Sequence, residues 1–118
     1  MTADLLYRLL KVQKFRYSNE KQLQTNIAQV LRESGFPFVR ECLVAGGTID
    51  FMVGDIGLEV KIKGTCKAIA AQLDRYVLDR RIRELLLVST SLKHRGVLDY
   101  IKPTEKPVKA LILLGSVL

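Results

Sequence analysis

The amino-acid sequence predicts an α/β fold in which helices flank a mixed central sheet. One sign is a pair of alternating apolar and polar runs, residues 49–53 and 56–62, with the two-residue period of adjacent strands. Another is the continuous apolar run 85–88, which is typical of a strand buried on both faces. A helical apolar pattern separates these strands. A strand–helix–strand unit implies a right-handed crossover, so we expect the flanking strands to be parallel.

The composition describes one packed domain over residues 1–118. A chain of 118 residues is long enough for one core but not for two, and 48% hydrophobic residues with a mean hydropathy of +0.14 exclude a disordered chain. The net charge of +7 and the pI near 9.7 favour a polyanionic partner, most simply nucleic acid. A generic basic surface is the alternative.

Cys42 and Cys66 are the only cysteines. They form neither a CxxC pair nor a disulfide framework, which indicates a reducing, intracellular setting. The first residues lack a basic segment followed by a long apolar run, so we expect no signal peptide and a cytoplasmic location. The apolar stretch Ala110–Leu118 is too short to cross a bilayer, and we expect a core strand there and no membrane association.

Two helices are predicted ahead of the sheet. Residues 3–13 carry an apolar pattern compatible with a short amphipathic helix, whose partner is either the core or another subunit. A second helix has Ser18 or Asn19 as its cap, runs to about Glu33 and ends at the Gly-x-Pro sequence that follows.

Glu20 lies on the apolar face of this second helix. The other members of that face are Leu23, Ile27, Val30 and Leu31. A carboxylate on an inward face is costly unless it is paired or binds a cation. The alternative is that Glu20 only favours the dipole of the first helical turn.

Three strands follow as a meander, beginning with Phe38–Val44. The alternation places Ile49, Phe51 and Val53 on one face of the second strand. Gly54-Asp55 suits a two-residue hairpin loop. That loop sets three opposed pairs: Val53 with Ile56, Phe51 with Leu58, and Asp50 with Glu59. A four-residue loop would instead place Asp50 opposite Lys61, with all three polar groups still on one face.

The opposed carboxylates of Asp50 and Glu59 indicate that a cation is missing from this face. Like charges directly across a ladder are destabilising, and Lys61 on the same face neutralises only part of this charge. A divalent metal is the natural counterion, and ligands that are all oxygen favour Mg²⁺ or Mn²⁺ over Zn²⁺. The alternative is a hairpin whose polar face is simply solvated.

A third helix is predicted from Thr65 to about Arg80. Gln72 and Tyr76 are four residues apart and therefore lie on one side of it. The lone histidine, His94, is expected at the surface and receives no role. The remaining predicted elements are a strand at Glu84–Thr90, a helix over 91–101 and a last strand at Val108–Leu114.

The chain resembles the PD-(D/E)xK nuclease superfamily, which has the restriction-endonuclease-like fold. The resemblance rests on Ile49-Asp50, followed after eight residues by Glu59-Val60-Lys61, and it extends over roughly residues 18–90. Isoleucine precedes Asp50 where the motif often has proline.

Two flanking segments extend this resemblance. Glu20, with Glu33-Ser34-Gly35-Phe36 after it, is similar to archaeal-type Holliday junction resolvases and to virus-type replication-repair (VRR-NUC) nuclease domains. The segment from Gln72 to Tyr76 is similar to the Q-x-x-x-Y element of RecB-like members. The implied architecture is an αβββαβ core.

The resemblance also implies the roles of the site residues. Asp50 and Glu59 would bind the metal together with the backbone carbonyl of Val60, and Glu20 would join them directly or through water. Lys61 would position or activate the attacking water and stabilise charge on the phosphate.

Further roles carried over from the resemblance concern the substrate. Gln72 would support Lys61 or the scissile phosphate, and Tyr76 would contact the nucleic-acid strand or pack beneath it. The basic residues expected to line the duplex are Arg16, Lys21, Arg40, Lys63, Lys67 and Arg75.

The implied function is hydrolysis of DNA phosphodiester bonds in repair or recombination. A domain this small favours an endonuclease that is selective for branched DNA, such as Holliday junctions or flaps, or weakly sequence-specific. Symmetric cutting of a junction would require a homodimer, for which the first helix and the last strand are candidate surfaces. The alternatives are a catalytically inactive nucleic-acid-binding module of the same fold, and a protein-interaction domain without metal.

Overall fold

A computed structural model describes residues 1–114 of the chain, which form a five-stranded sheet between two layers of helices. The helices are α1 Ala3–Lys11, α2 Glu20–Glu33 and α3 Cys66–Tyr76, with a 3₁₀ segment at Leu92–Tyr100. The strands are β1 Val39–Val44, β2 Gly47–Val53, β3 Ile56–Lys61, β4 Glu84–Ser89 and β5 Val108–Ile112. None of the helices in this part of the chain is long and apolar enough to span a membrane.

The strands lie in the sheet in chain order, β1-β2-β3-β4-β5. The first three form an antiparallel meander, whereas β3, β4 and β5 are parallel. The predicted α/β class, mixed sheet and parallel crossover are therefore confirmed. The two-residue hairpin loop is confirmed as well, because Val53 pairs with Ile56 and Phe51 with Leu58.

Each face of the sheet carries its own apolar core. Helices α1 and α2 cover one face, where Leu6, Leu23 and Phe51 are fully buried. Helix α3 and the 3₁₀ segment cover the other face. Gly57 keeps this second core closed, because a Cβ atom there would stand 2.7 Å from Ile49 Cδ1 and 2.8 Å from Leu85 Cδ2.

Strand β2 changes face at Asp50. Phe51 and Val53 pack in the α1–α2 core, but Ile49 packs in the α3 core, so the prediction that all three share one face is wrong. The cause lies in the neighbouring strand. Glu41 stands opposite Asp50 in the β1–β2 register and has a φ of 51°, which breaks the regular alternation of both strands.

The tip of the β1–β2 hairpin is thereby directed onto the end of α3. The backbone amide of Ala45 donates to the Asp79 carboxylate at 2.8 Å, and the Tyr76 hydroxyl donates to the Thr48 carbonyl at 3.0 Å. These contacts also explain why α3 ends at Tyr76 and not near Arg80 as predicted. The chain leaves the helix so that Asp79 can reach Ala45.

The C-terminal third departs from the sequence prediction in three places. Residues 92–100 form a 3₁₀ segment instead of the expected α-helix, with the His94 amide donating to the carbonyl of Ser91 and Gly96 in its middle. His94 is buried, not at the surface. Strand β5 ends at Ile112 and is a partly buried edge strand, and the rest of the predicted core strand, 115–118, lies outside the described residues.

Candidate metal centre

The centre of the candidate site is the point where the β2–β3 ladder stops. The last backbone rung joins Phe51 and Leu58, so Asp50 and Glu59 do not form the predicted rung. Their carboxylates replace it. The Asp50 amide donates to Glu59 Oε1 at 3.1 Å, and the Val60 amide donates to Asp50 Oδ2 at 2.7 Å. The two acidic side chains are therefore fixed against each other by the backbone of both strands.

Glu20 reaches the same end of β3 from the helical layer. Asn19 caps α2 by accepting a hydrogen bond from the amide of Gln22, which sets Glu20 as the first helical residue. Glu20 Oε1 then accepts a hydrogen bond of 3.1 Å from the amide of Ile62, one residue past β3. The inward-facing glutamate of the sequence prediction is thus paired with a backbone donor beside Lys61.

Lys61 is the cation closest to the buried carboxylate. Its Nζ lies 3.5 Å from Glu59 Oε2, and its side chain is 25% exposed, compared with 3% for Glu59. One ammonium group therefore faces both solvent and the acidic pair.

Burial and mutual repulsion shift the titration of both acids. Burial, followed by the charge of Asp50, raises the pKa of Glu59 to about 8. Burial also raises the pKa of Asp50, and the negative charge of Glu20 acts in the same direction. Near neutral pH this group of carboxyls therefore favours a bound cation, or a proton in its place.

Gln72 and Tyr76 lie beneath the acidic pair. Gln72 Nε2 donates to the Tyr76 hydroxyl at 2.7 Å, and that hydroxyl lies 3.5 Å from Glu59 Oε2. Tyr76 is fully buried, and burial raises the pKa of its phenol. Tyr76 therefore packs beneath the acidic pair, which is one of the two roles predicted for it. Gln72 contacts Tyr76, and no hydrogen bond joins it to Lys61 within residues 1–114.

His94 holds the loop that follows β3. Its Nε2 lies 2.7 Å from the Gly64 carbonyl, and its Nδ1 lies 2.6 Å from Ser89 Oγ. Ser89 is paired with Lys61 across the β3–β4 ladder. The histidine therefore connects the strand beside Lys61 to the loop that begins at Ile62. Sequence reasoning missed this role, and no spacing signal marks it, because the partners are 5 and 30 residues away.

The donor set fits a hard divalent cation. Asp50, Glu59 and Glu20 supply carboxylate oxygens, the ligand type that Mg²⁺ and Mn²⁺ prefer. Burial raises the pKa of both Asp50 and Glu59, and a cation between them would offset this effect. Within residues 1–114, however, no three His, Cys, Asp or Glu side chains already converge in a metal-binding arrangement. A bound cation would therefore require side-chain adjustment.

The predicted basic residues occupy four regions. Lys21 is exposed at the start of α2, Lys63 just past the end of β3 and Lys67 in the first turn of α3. The Glu20–Ile62 hydrogen bond joins the start of α2 to the end of β3. Arg75 packs against Gly46 at the far end of α3. The remaining two are Arg16, exposed on the α1–α2 connection, and Arg40, stacked over Phe51.

Comparisons of the chain with protein-family models, with curated protein sequences and with solved structures found no significant match.

Proposed function

We propose that the chain is a divalent-metal-dependent deoxyribonuclease with a restriction-endonuclease-like αβββαβ core. One observation carries the proposal. At the end of the β2–β3 ladder, Asp50 and Glu59 lie against each other with Lys61 beside them. Solvation alone does not explain this arrangement. Glu59 is 2% exposed, so its polar group is not there for solubility.

The order of elements supports the same proposal. Helix α2, the meander β1–β3, helix α3 and strand β4 give the sequence αβββαβ, with the parallel pairing between β3 and β4. The proposed site residues are distributed over the first helix, two strands of the meander and the second helix of this core. Glu20 begins α2, Asp50 is in β2, Glu59 and Lys61 end β3, and Gln72 is in α3.

The residues of the site have separate roles in the proposed hydrolysis. Asp50, Glu59, the Val60 carbonyl and Glu20 would hold Mg²⁺ or Mn²⁺. When bound, such an ion supplies an activated water and neutralises charge on the phosphate. Lys61 is partly exposed and next to Glu59, so it can orient the attacking water and stabilise charge on the phosphate oxygens. Tyr76, whose hydroxyl accepts a hydrogen bond from Gln72, packs beneath Glu59.

The substrate proposed is DNA with a branch, flap or junction, processed in repair or recombination inside the cytoplasm. Basic residues Lys21, Lys63 and Lys67 beside the site provide phosphate contacts that do not depend on sequence. Paired incisions would need a homodimer. Leu5 and Val12 of the α1 region are exposed and are candidate dimer contacts, as is the outer edge of β5, with which no other strand of residues 1–114 pairs.

The test is cleavage of labelled single-stranded, duplex, flap and four-way-junction DNA with Mg²⁺ or Mn²⁺. Glu59→Gln and Lys61→Met should each abolish cutting, since the first removes a metal ligand and the second removes the ammonium group beside it. Glu105→Gln, at an exposed glutamate, serves as the matched control and should cut normally. Cutting that persists in Glu59→Gln would refute the proposed active site.

The second candidate is a catalytically inactive nucleic-acid-binding module on the same fold. It is favoured by one observation, the lack of three converging metal-binding side chains in residues 1–114. Calorimetry with Mn²⁺ separates the two candidates. The nuclease predicts binding that Asp50→Asn removes, whereas the binding module predicts DNA binding without any metal binding.

A further inference from the structure

An open concavity of about 540 Å³ lies where α2 ends and β1 begins. It is distinct from the carboxylate site. Its lining residues are Arg32, Gly35, Phe36, Pro37, Phe38 and Arg40. Two guanidinium groups and two phenyl rings thus surround one surface depression, a combination suited to flat, anionic ligands.

The two guanidinium groups of this concavity lie over two phenyl rings, Phe38 in its lining and Phe51 in the core behind it. The Arg32 guanidinium lies 5.7 Å from the centre of the Phe38 ring, and the Arg40 guanidinium lies 5.5 Å from the centre of the Phe51 ring. The two rings meet edge to face at 5.9 Å. Since Phe51 is buried in the core, this row of side chains is anchored, and the planes of the arginines are held in place.

These two arginines carry charge that the described protein does not neutralise. Within residues 1–114, no carboxylate lies within 4.0 Å of either Arg32 or Arg40, whereas Arg8, Arg81 and Arg83 each have an acidic partner. Arg32 Nη1 donates to Gln29 Oε1 at 2.9 Å, which fixes the group without offsetting its charge. The concavity therefore attracts anions.

The concavity and the carboxylate site lie at opposite ends of one helix. Helix α2 begins at Glu20 in the site and ends at Glu33 beside the concavity. The 12 residues from Glu20 to Arg32 correspond to about 18 Å at 1.5 Å per residue. A nucleic-acid strand that is cut at the carboxylates can therefore reach the concavity with nucleotides a short distance from the scissile phosphate.

We infer that the concavity binds unpaired nucleotides of the substrate, with bases stacked on the Arg32 and Phe38 planes and phosphates on the two guanidinium groups. Aromatic rings and guanidinium planes stack on every base, so binding of this kind tolerates any sequence. Paired bases are not available for such stacking. The concavity would therefore select DNA that has a single-stranded segment next to the cut. The inference rests on the proposed nuclease function for the identity of the substrate.

The experiment measures binding of a fluorescent 12-nucleotide oligo-dT and of a blunt duplex of equal length by anisotropy, in EDTA. The test variant is Arg32→Lys combined with Arg40→Lys, which keeps both charges but removes both planes. Phe38→Leu tests the ring. Arg80→Lys, at another exposed arginine, is the matched control.

We expect the double variant and Phe38→Leu to lose roughly tenfold in affinity for oligo-dT and less than twofold for the duplex. Unchanged oligo-dT binding in the double variant, or equal losses for both DNAs, would overturn the inference. Thermal melting of each variant shows that it is folded.

Because the assay contains no divalent ion, it is independent of cleavage. An absence of metal-dependent cutting would refute the nuclease, while selective loss of oligo-dT binding would still locate the single-strand surface.

Discussion

Glu59 is buried beside another carboxylate, which makes its ionisation unfavourable to the folded chain. Its folded-state pKa of about 8 stands above its ordinary value of 4.5, so the folded protein holds this proton more tightly than the unfolded chain does. The resulting stability is fully present below pH 4.5 and is lost as the pH rises towards 8. The raised pKa of Asp50 acts with the same sign.

We therefore predict that the metal-free protein loses stability between about pH 4.5 and pH 8, and that Glu59→Gln removes most of this loss. A neutral amide needs no proton, and its oxygen can still accept the hydrogen bond from the Asp50 amide. At pH 8 the variant should be more stable than the parent by on the order of 1 kcal/mol or more. Urea unfolding across this pH range, in EDTA, measures the difference.

Mg²⁺ provides the complementary control for Glu59→Gln. Millimolar Mg²⁺ should restore the stability of the parent at pH 8 and should have little effect on the variant, because the ion replaces the proton. Parallel pH profiles for the parent and Glu59→Gln would contradict the assignment of Glu59 as the titrating group.

At the scale of single elements, the change of face in β1 and β2 depends on Glu41. Its φ of 51° lies in the left-handed region, which costs an ordinary side chain about 1–2 kcal/mol. Asparagine tolerates this conformation and a β-branched residue does not. We predict that Glu41→Asn is neutral or stabilising, and that Glu41→Val is less stable than Glu41→Asn by more than about 1 kcal/mol, measured by urea unfolding.

The matched control for Glu41 is Leu43, two residues along the same strand. Leu43 is exposed, and within residues 1–114 Glu41 is the only non-glycine residue with positive φ. At Leu43 a valine should therefore be better than an asparagine, as is usual in strands. If the asparagine and valine variants had the same order of stability at positions 41 and 43, the left-handed conformation of Glu41 would not be what causes the change of face.

This change of face marks where sequence reasoning failed within the hairpin. The loop Gly54-Asp55 has a local signal, and the register next to it was predicted correctly. Alternation assumes a regular period of two, so it could not show that Ile49 and Phe51 belong to different cores. It also placed Asp50 opposite Glu59 as a rung, whereas their side chains bond to backbone amides instead.

His94 gives a second prediction at the level of one element, the loop after β3. Replacing it by alanine removes both ring contacts, to the Gly64 carbonyl and to Ser89, and leaves space in a buried position. We expect a loss of about 1–3 kcal/mol in the free energy of unfolding. Hydrogen exchange should accelerate at the amides of residues 62–65 more than in β4.

The exposed neighbour Lys93 supplies the control for His94, since Lys93→Ala leaves the ring contacts intact. Unchanged exchange in residues 62–65 of His94→Ala would mean that the loop is held by other contacts, such as that between Glu20 and the Ile62 amide.

At the scale of the whole molecule, short-range patterns were sufficient for the order and pairing of the strands. The apolar run 85–88 and the spacing around α3 predicted the parallel β3–β4 pair. Features that depend on distant partners were not predictable. Asp79 ends α3 through Ala45, 34 residues earlier, and His94 is buried against Gly64, 30 residues earlier. The same limit applied to the concavity, because Arg32 and Arg40 come together only after the chain turns at Gly35.

The net charge of +7 is distributed unevenly, and this leads to the last prediction. Arg8 and Lys109, on the α1–β5 side, share the carboxylate of Asp4. Lys63 and Lys67, beside the carboxylate site, have no acidic group within 4.0 Å among residues 1–114. The second pair therefore carries charge that no carboxylate among these residues offsets, whereas the first pair shares one carboxylate.

We predict that Lys63→Gln combined with Lys67→Gln reduces the slope of log affinity against log salt for duplex DNA by roughly 1.8, about 0.9 for each lost phosphate contact. The combination Arg8→Gln with Lys109→Gln removes the same net charge and should leave the slope nearly unchanged. Anisotropy titrations between about 50 and 200 mM salt measure both. Equal changes of slope would mean that overall charge attracts the DNA. A selective change would mean that the duplex lies across the β3–α3 connection, within reach of Asp50 and Glu59.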